Sequence, residues 1–253
     1  MTLVRAPLGA IETMRRPLRP GHVLVTLEDQ VIVSWRVSEA ALRARLPATL
    51  APVVRGGDAF VSAVLFRNRR LRPVVPGVPR LGSRQMNVRS YVLDPTTGEP
   101  GSVFFHGLYV SRRWLARVSS WLFDVPFGYL PFTIDARHDG PNLVGWLARS
   151  RDGRVDVAVH AGDVAIDEPT LDLLTNAHSG YVRDAHGTLR FWSIWHQAQM
   201  IQTAVVDHVT IADLPTLDGV DFGAPESALY VRSVDYEIYL PARVLGRSRA
   251  VAY

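Results

Sequence analysis

The stretch from Ser83 to Val110 constrains the fold more than any other. It reads as two β-strands, Arg84 to Val92 and Ser102 to Val110, joined by the turn Asp94-Pro-Thr-Thr-Gly-Glu-Pro-Gly101. Side chains alternate across a strand. In the first strand Gln85, Asn87, Arg89 and Tyr91 share one face, and Met86, Val88, Ser90 and Val92 the other. A polar face opposite an apolar one ordinarily looks onto water. The partner strand argues otherwise. Alternation puts Phe104, His106, Leu108 and Val110 on one side and Val103, Phe105, Gly107 and Tyr109 on the other, so neither side suits solvent. A strand this apolar is buried on both faces, and its hairpin neighbour is then central as well. Arg89 therefore either points into a cavity or is an ordinary exposed cation; arginine is seldom buried without a partner.

The rest of the chain supports a β-rich architecture. Residues 1–20 hold three prolines and no periodicity, and read as a loose N-terminal arm; residues 21–253 read as one domain. Two β-type runs follow, Val23 to Leu27 and Val31 to Val37, then a short helix capped by Ser38 and stopped at Pro47. Ala59 to Phe66 is a nearly continuous apolar strand. Trp114, Leu115, Val118, Trp121 and Leu122 form an apolar stripe on a helix for which Ser111 is the candidate N-cap and which runs to about Phe123, a pattern that matches core packing. Further strands are expected near 132–137, 143–151, 155–160, 180–183, 188–196, 203–212 and 229–240, and a helix near 168–175. Strands outnumber helices and connect mostly by short turns. The expected class is α+β, mainly antiparallel β and barrel-like.

Composition removes whole mechanisms. All 28 basic residues are Arg and none is Lys, which excludes a lysine Schiff base, a pyridoxal phosphate anchor and a P-loop lysine. Zero Cys excludes disulfides and thiolate chemistry. The net charge of +4 is modest and its acids and bases are interspersed, which argues against nucleic-acid binding. No apolar run approaches the roughly 18 residues that span a bilayer, and the N-terminus lacks a secretory apolar block, so a cytoplasmic protein that does not engage membranes is expected. A homodimer is compatible with the sequence. No G-x-S-x-G, H-E-x-x-H, G-x-G-x-x-G or Walker pattern occurs. The eight histidines show no metal-ligand spacing, so no metal and no cofactor are expected.

Three histidines remain as candidates. His106 sits mid-strand, either as a core imidazole or as an acid/base group in a cavity. His196 ends the aromatic strand Phe191-Trp-Ser-Ile-Trp-His196, either facing a pocket mouth or structural. His178 follows the helix near 168–175 and reads as a capping cation or a pocket residue. Asp235 and Glu237 share a face of the last strand and would pair with Arg89 if buried.

Asn87-Val-Arg-Ser-Tyr-Val92, followed after a turn by Gly101-Ser-Val-Phe-Phe105, resembles the N-x-R-T-Y-V … G-V-x-F-F signature of the YqjF-like proteins, an uncharacterised bacterial family in the acetoacetate decarboxylase-like superfamily. Trp35-Arg-Val with Leu42 to Pro47, Phe60 to Phe66, Val125-Pro-Phe and Ser233 to Tyr239 are similar to further segments of that family. The resemblance implies a cone-shaped antiparallel β-barrel with surrounding strands, a few short helices and a central cavity. The superfamily's namesake uses a lysine Schiff base, which this chain cannot form. Thr175-Asn-Ala-His178 also departs from the family's Thr-Glu-Arg-Tyr, implying a changed ligand. The expectation is a small-molecule enzyme of lyase, cyclase or isomerase type in secondary metabolism, acting without cofactor on a carbonyl- or carboxylate-bearing, largely apolar substrate. The alternative is a non-catalytic binding protein with the same cavity. Arg89, His106 and His196 are the expected catalytic groups. Asn87, Tyr91, His178, Phe104, Trp192, Trp195, Tyr236 and Glu237 are the expected substrate contacts.

Overall fold

The computed structural model describes residues 15–77, 80–211 and 222–245, together with the strand Val4–Arg5, Leu217 and Val220. These residues form strands β1 (Val4–Arg5), β2 (Val23–Ser38), β3 (Val54–Arg55), β4 (Asp58–Pro73), β5 (Leu81–Val92), β6 (Ser102–Val110), β7 (Gly128–Tyr129) and β8 (Phe132–Asp139). Strands β9 (Asn142–Ser150), β10 (Val155–Ala161), β11 (Ser179–Arg183), β12 (Leu189–His196), β13 (Met200–Ile211) and β14 (Ser227–Val244) complete the sheet. The helices are α1 (Glu39–Arg43), α2 (Arg113–Phe123) and α3 (Glu168–Thr175).

The strand order is β12-β11-β6-β5-β4-β2-β14, and β14 also pairs with β12, so these seven strands close on themselves. Closure leaves no free edge in the barrel wall. From β14 the sheet continues through β13, β10, β9 and β8, which wrap the outside. One apolar cluster, including Val33, Val61, Val88, Trp146 and Val157, fills the space between wall and wrap. A second, including Val25, Val64, Tyr91, Leu174 and Val234, lines the inside. The α+β, mainly antiparallel barrel expected from the sequence is what forms.

Bulges decide which residues face inward. The runs 23–27 and 31–37 are one strand, with Asp29 at φ 50° in a bulge opposite β4. Short polar residues tolerate this left-handed conformation better than most. Asp29 then accepts hydrogen bonds from Tyr230 Oη at 2.9 Å and pairs with Arg67 Nη1 at 3.1 Å. Its carbonyl accepts from Trp146 Nε1 at 2.9 Å, tying the wall to the wrap. A second bulge lies in β6: Val88 pairs with Gly107 but Arg89 pairs with Phe105. His106 is the extra residue, so alternation breaks there. Phe105 and Leu108 come to one face, and Phe104 and His106 go to the other. Gly107 suits the position because a Cβ there would lie 2.5 Å from the Tyr109 ring.

Two further expectations are corrected. The described parts of the arm are docked rather than loose. Val4–Arg5 pairs with β13, and Arg15 donates to Glu237 Oε1 from Nη2 at 2.8 Å and from Nε at 3.1 Å; residues 6–14 lie outside the described residues. The α2 stripe is not all core. Leu115 is buried, but Trp114, Val118 and Trp121 are exposed, Trp121 by 82%. The buried face runs instead through Leu115, Ala116, Ser119 and Phe123. The helix begins at Arg113 and is not capped by Ser111, whose Oγ accepts from Arg84 N at 3.0 Å.

Candidate active site

A cavity of about 110 Å³ opens inside the barrel, lined by inward residues of β2, β4, β5, β6, β12 and β14, with Ser119 and Phe123 of α2 and Phe127 closing one side. Its aromatic wall is Phe105, Phe123, Phe127 and Trp192, with Phe105 and Trp192 stacked at 5.8 Å. Its polar wall is Asn68, Gln85, Asn87 and Arg89. Alternation along β5 produces that polar row, as the sequence suggested.

Arg89 is 8% exposed. Its Nη2 donates to the Leu174 carbonyl at 2.7 Å, and Nε and Nη2 reach Tyr91 Oη at 3.4 and 3.3 Å. Leu174 lies in the last turn of α3, where carbonyls lack helical partners and the helix end is electronegative. The helix is set by Asp167, whose carboxylate accepts from Thr170 N at 2.8 Å. The guanidinium is thus held by a helix terminus and a phenol. Among the described residues no carboxylate pairs with it, and its Nη1 has no hydrogen-bond partner. A buried cation without a counter-ion is costly, so it is retained at functional sites more often than elsewhere.

Tyr91 is buried beneath Arg89 and does not line the cavity, so it positions the guanidinium rather than contacting a ligand. Its hydroxyl meets Ser62 Oγ at 2.8 Å, which meets Ser34 Oγ at 2.7 Å. Asn87 lines the cavity, and its Oδ1 accepts from Gln85 Nε2 at 2.8 Å.

His196 lies on the same face of β12 as the cavity-lining Trp192 and Ile194 but one step behind the lining itself, its ring packed 4.9 Å from that of Tyr236, a lining residue. Its Nδ1 lies 2.9 Å from the Gln197 carbonyl. Gln199 Nε2 is a second, longer neighbour of Nδ1 at 3.4 Å; the closer carbonyl only accepts, which favours the tautomer with the proton on Nδ1 and the lone pair on Nε2. Nε2 is buried and has no partner among the described residues. Burial pulls this imidazole down to about 4, and the nearby Arg89 charge acts in the same direction. Tyr236 is pushed up to about 12 by burial, so its phenol stays protonated. Gln199 Nε2 donates to Tyr236 Oη at 3.3 Å and to the Thr175 carbonyl at 2.9 Å, fixing the phenol.

The remaining expected site residues lie elsewhere. The β6 bulge turns His106 and Phe104 away from Arg89, toward an outer depression that also holds Val182, Arg183 and Asp184. There His106 Nε2 meets Ser90 Oγ at 3.0 Å, and burial lowers its pKa to about 4. Trp195 and Glu237 alternate outward from Ile194 and Tyr236. Trp195 stacks under Arg15 at 4.3 Å, and Glu237 binds Arg15 and accepts from Tyr239 Oη at 2.9 Å. Asp235 takes the Thr26 hydroxyl at 2.6 Å, so neither acid meets Arg89. The His178 ring packs on Gly101 instead of lining the cavity, and it does not cap α3, whose C-cap residue is Asn176. Burial lowers its pKa against the pull of Asp94.

Phe105, Gln30 and Gln199 were not legible as site residues. Phe105 was hidden by the bulge. Gln30 lies in the polar break Glu28-Asp-Gln30, which reads as a turn. Gln199 lies outside any strand; its one signal is its place three residues after His196. Among the described residues no group of three or more His, Asp or Glu could hold a metal ion, and no helix is long and apolar enough to cross a membrane.

A seven-strand barrel with a wrapping sheet and an internal cavity defines the class: the fold is that of the acetoacetate decarboxylase-like proteins, whose solved members include enzymes. The enduracididine biosynthesis enzyme MppR complexed with pyruvate is similar to this chain with a TM-score of 0.60 and 12% identity, covering 92% of this chain and 93% of that one. An acetoacetate decarboxylase-like enzyme from Sphingomonas wittichii RW1 is similar with a TM-score of 0.54 and 13% identity, covering 92% and 97%. Within that class the chain belongs to the DUF2071 family of uncharacterized conserved proteins, whose profile matches residues 25–235. The uncharacterized protein YqjF of Bacillus subtilis (strain 168) is 22% identical over 228 residues, 86% of this chain and 90% of YqjF.

Proposed function

We propose that the barrel cavity is the active site of a cofactor-free enzyme that enolises a carbonyl substrate bearing a carboxylate, as lyases, cyclases and isomerases do. The observation that carries this is the buried Arg89 guanidinium, which lines the cavity and has no acidic partner among the described residues. Arg89 binds the carboxylate. Nε2 of His196 takes the proton from the carbon beside the carbonyl. The C–H pair becomes the enolate double bond, and the carbonyl oxygen takes the charge, facing the Tyr236 phenol as a fixed donor. No imine forms, since no lysine exists. Pyruvate, bound by the similar enzyme MppR, makes 2-oxo acids the reasonable first probes.

A second reading, a non-catalytic binder with the same anion site, draws support from the depth of His196 Nε2, which is shielded from any space a water could enter. Proton NMR of 2-oxobutanoate in deuterium oxide separates the two. Enzymatic enolisation exchanges the methylene protons about a hundredfold or more faster than buffer, and His196→Gln abolishes the gain. Saturable binding without accelerated exchange selects the binder.

A further inference from the structure

Gln30 is 2% exposed and lines the cavity, yet its Oε1 has no hydrogen-bond partner among the described residues. The β2 bulge creates this position. Val31 pairs with Leu65 and Glu28 with Arg67, so the two bulged residues stand opposite Phe66, which itself pairs with Gln85. Gln30 thus lies level with Gln85 on the inner wall. Arg89 is four residues further along β5, about 13 Å at strand rise.

The facing carboxamides are polarised. Asn68 Nδ2 donates to Gln85 Oε1 at 2.8 Å, and Gln85 Nε2 donates to Asn87 Oδ1 at 2.8 Å. Every amide in the row passes its donor toward Arg89, so the row ends with Asn87 Nδ2, which has no acceptor among the described residues. The cavity wall therefore holds one buried unpaired acceptor, Gln30 Oε1, just beneath its surface, and unpaired donors at Asn87 Nδ2 and Arg89 Nη1, between apolar and aromatic surfaces. An entirely apolar ligand would leave Gln30 Oε1 without any donor, which a buried carbonyl tolerates poorly; a ligand donor reaches it by a turn of the Gln30 carboxamide.

We propose that the cavity is a two-point site. The anionic head of the ligand is anchored at Arg89, and a neutral hydroxyl or amide on its tail donates to Gln30 Oε1 and accepts from Asn87 Nδ2. This rests on the Arg89 anchoring argued above and adds the substrate class: an oxo acid whose tail carries a hydrogen-bonding group, rather than a plain hydrocarbon. Sites built to pair a buried amide discriminate strongly against analogues that lack the matching group.

The test is calorimetric titration of the folded full-length protein with straight-chain 2-oxo acids of graded length, each as a methyl-ended and an ω-hydroxylated form. At the matching length the hydroxylated acid should bind about tenfold tighter or more than its methyl-ended twin. Gln30→Met should erase that preference, bringing the affinities of the two forms to within about twofold of each other. Should Gln30→Met fail to fold, Asn87→Leu serves instead, with reduced preference expected. Arg89→Met should weaken both forms by the same factor. Equal affinity of the twins at every length, or a preference that survives Gln30→Met, overturns the tail subsite alone. Binding insensitive to Arg89→Met but sensitive to Gln30→Met overturns the head anchor instead.

Discussion

At the scale of single residues, burial holds two imidazoles neutral well below the pH at which they would titrate in water. His196 and His106 are both lowered to about 4 by burial, on opposite sides of the barrel wall. The sign of the consequence follows from linkage. An unfolded chain protonates these imidazoles near 6.5, whereas the folded chain resists until about 4, so between those values the unfolded state binds more protons. The two groups leave stability intact above about pH 6.5 and erode it as pH falls toward about 4, each by roughly 3 kcal/mol. His22 and His178, also lowered by burial, act in the same direction. Urea midpoints taken from about pH 7 to about pH 4.5 should fall steadily, and His106→Gln should flatten the slope. A midpoint unchanged over that range contradicts neutral burial of these rings. The aspartates whose pKa is lowered, such as Asp94 and Asp184, lose their contribution only below this window.

At the scale of elements, alternation and its failures explain what could be read in advance. The polar row Gln85, Asn87, Arg89 was legible because β5 is regular there. The helix α3 was legible from Glu168-Pro169, and the structure adds Asp167 as its N-cap. The face of β6 was not, because one bulged residue exchanges Phe104 for Phe105 and sends His106 outward. Nothing in a string of apolar residues marks where a bulge falls. Gln30 was missed for the same reason, and Tyr91, Trp195 and Glu237 show that sharing a strand with the site does not place a side chain in it. The α2 stripe fails differently. Its apolar arc is wider than the face the barrel covers, so Trp114, Val118 and Trp121 overhang into solvent. Replacing Trp114 and Trp121 together by Ser should therefore shift stability by no more than about 1 kcal/mol, checked by urea denaturation followed by far-UV circular dichroism. A loss of several kcal/mol would mean that the helix packs by that face after all. Phe123→Ala, on the inner face, should cost about 3 kcal/mol in the same assay.

At the scale of the molecule, closure of seven strands gives a rigid wall, and α2 and α3 stopper it. The wall sets the side-chain directions, and the C-terminus of α3 supplies the carbonyl that lets a cation stay inside without an acid. The chain thereby keeps an interior charge in a fold whose namesake chemistry its composition forbids. Such a charge contributes to ligand binding at the expense of the empty protein, since an apolar side chain of similar volume is commonly neutral or stabilising in its place. Tyr91 Oη already donates to the Leu174 carbonyl at 3.3 Å, so removing the guanidinium does not strand that carbonyl. The most direct measurement is a paired calorimetric and thermal titration of wild type and Arg89→Met with 2-oxobutanoate. The account predicts that Arg89→Met melts at the same temperature as wild type or higher, and that its affinity falls about a hundredfold or more. A variant that binds the oxo acid as wild type does, or that unfolds for want of the guanidinium, would contradict it and make Arg89 a strut for α3.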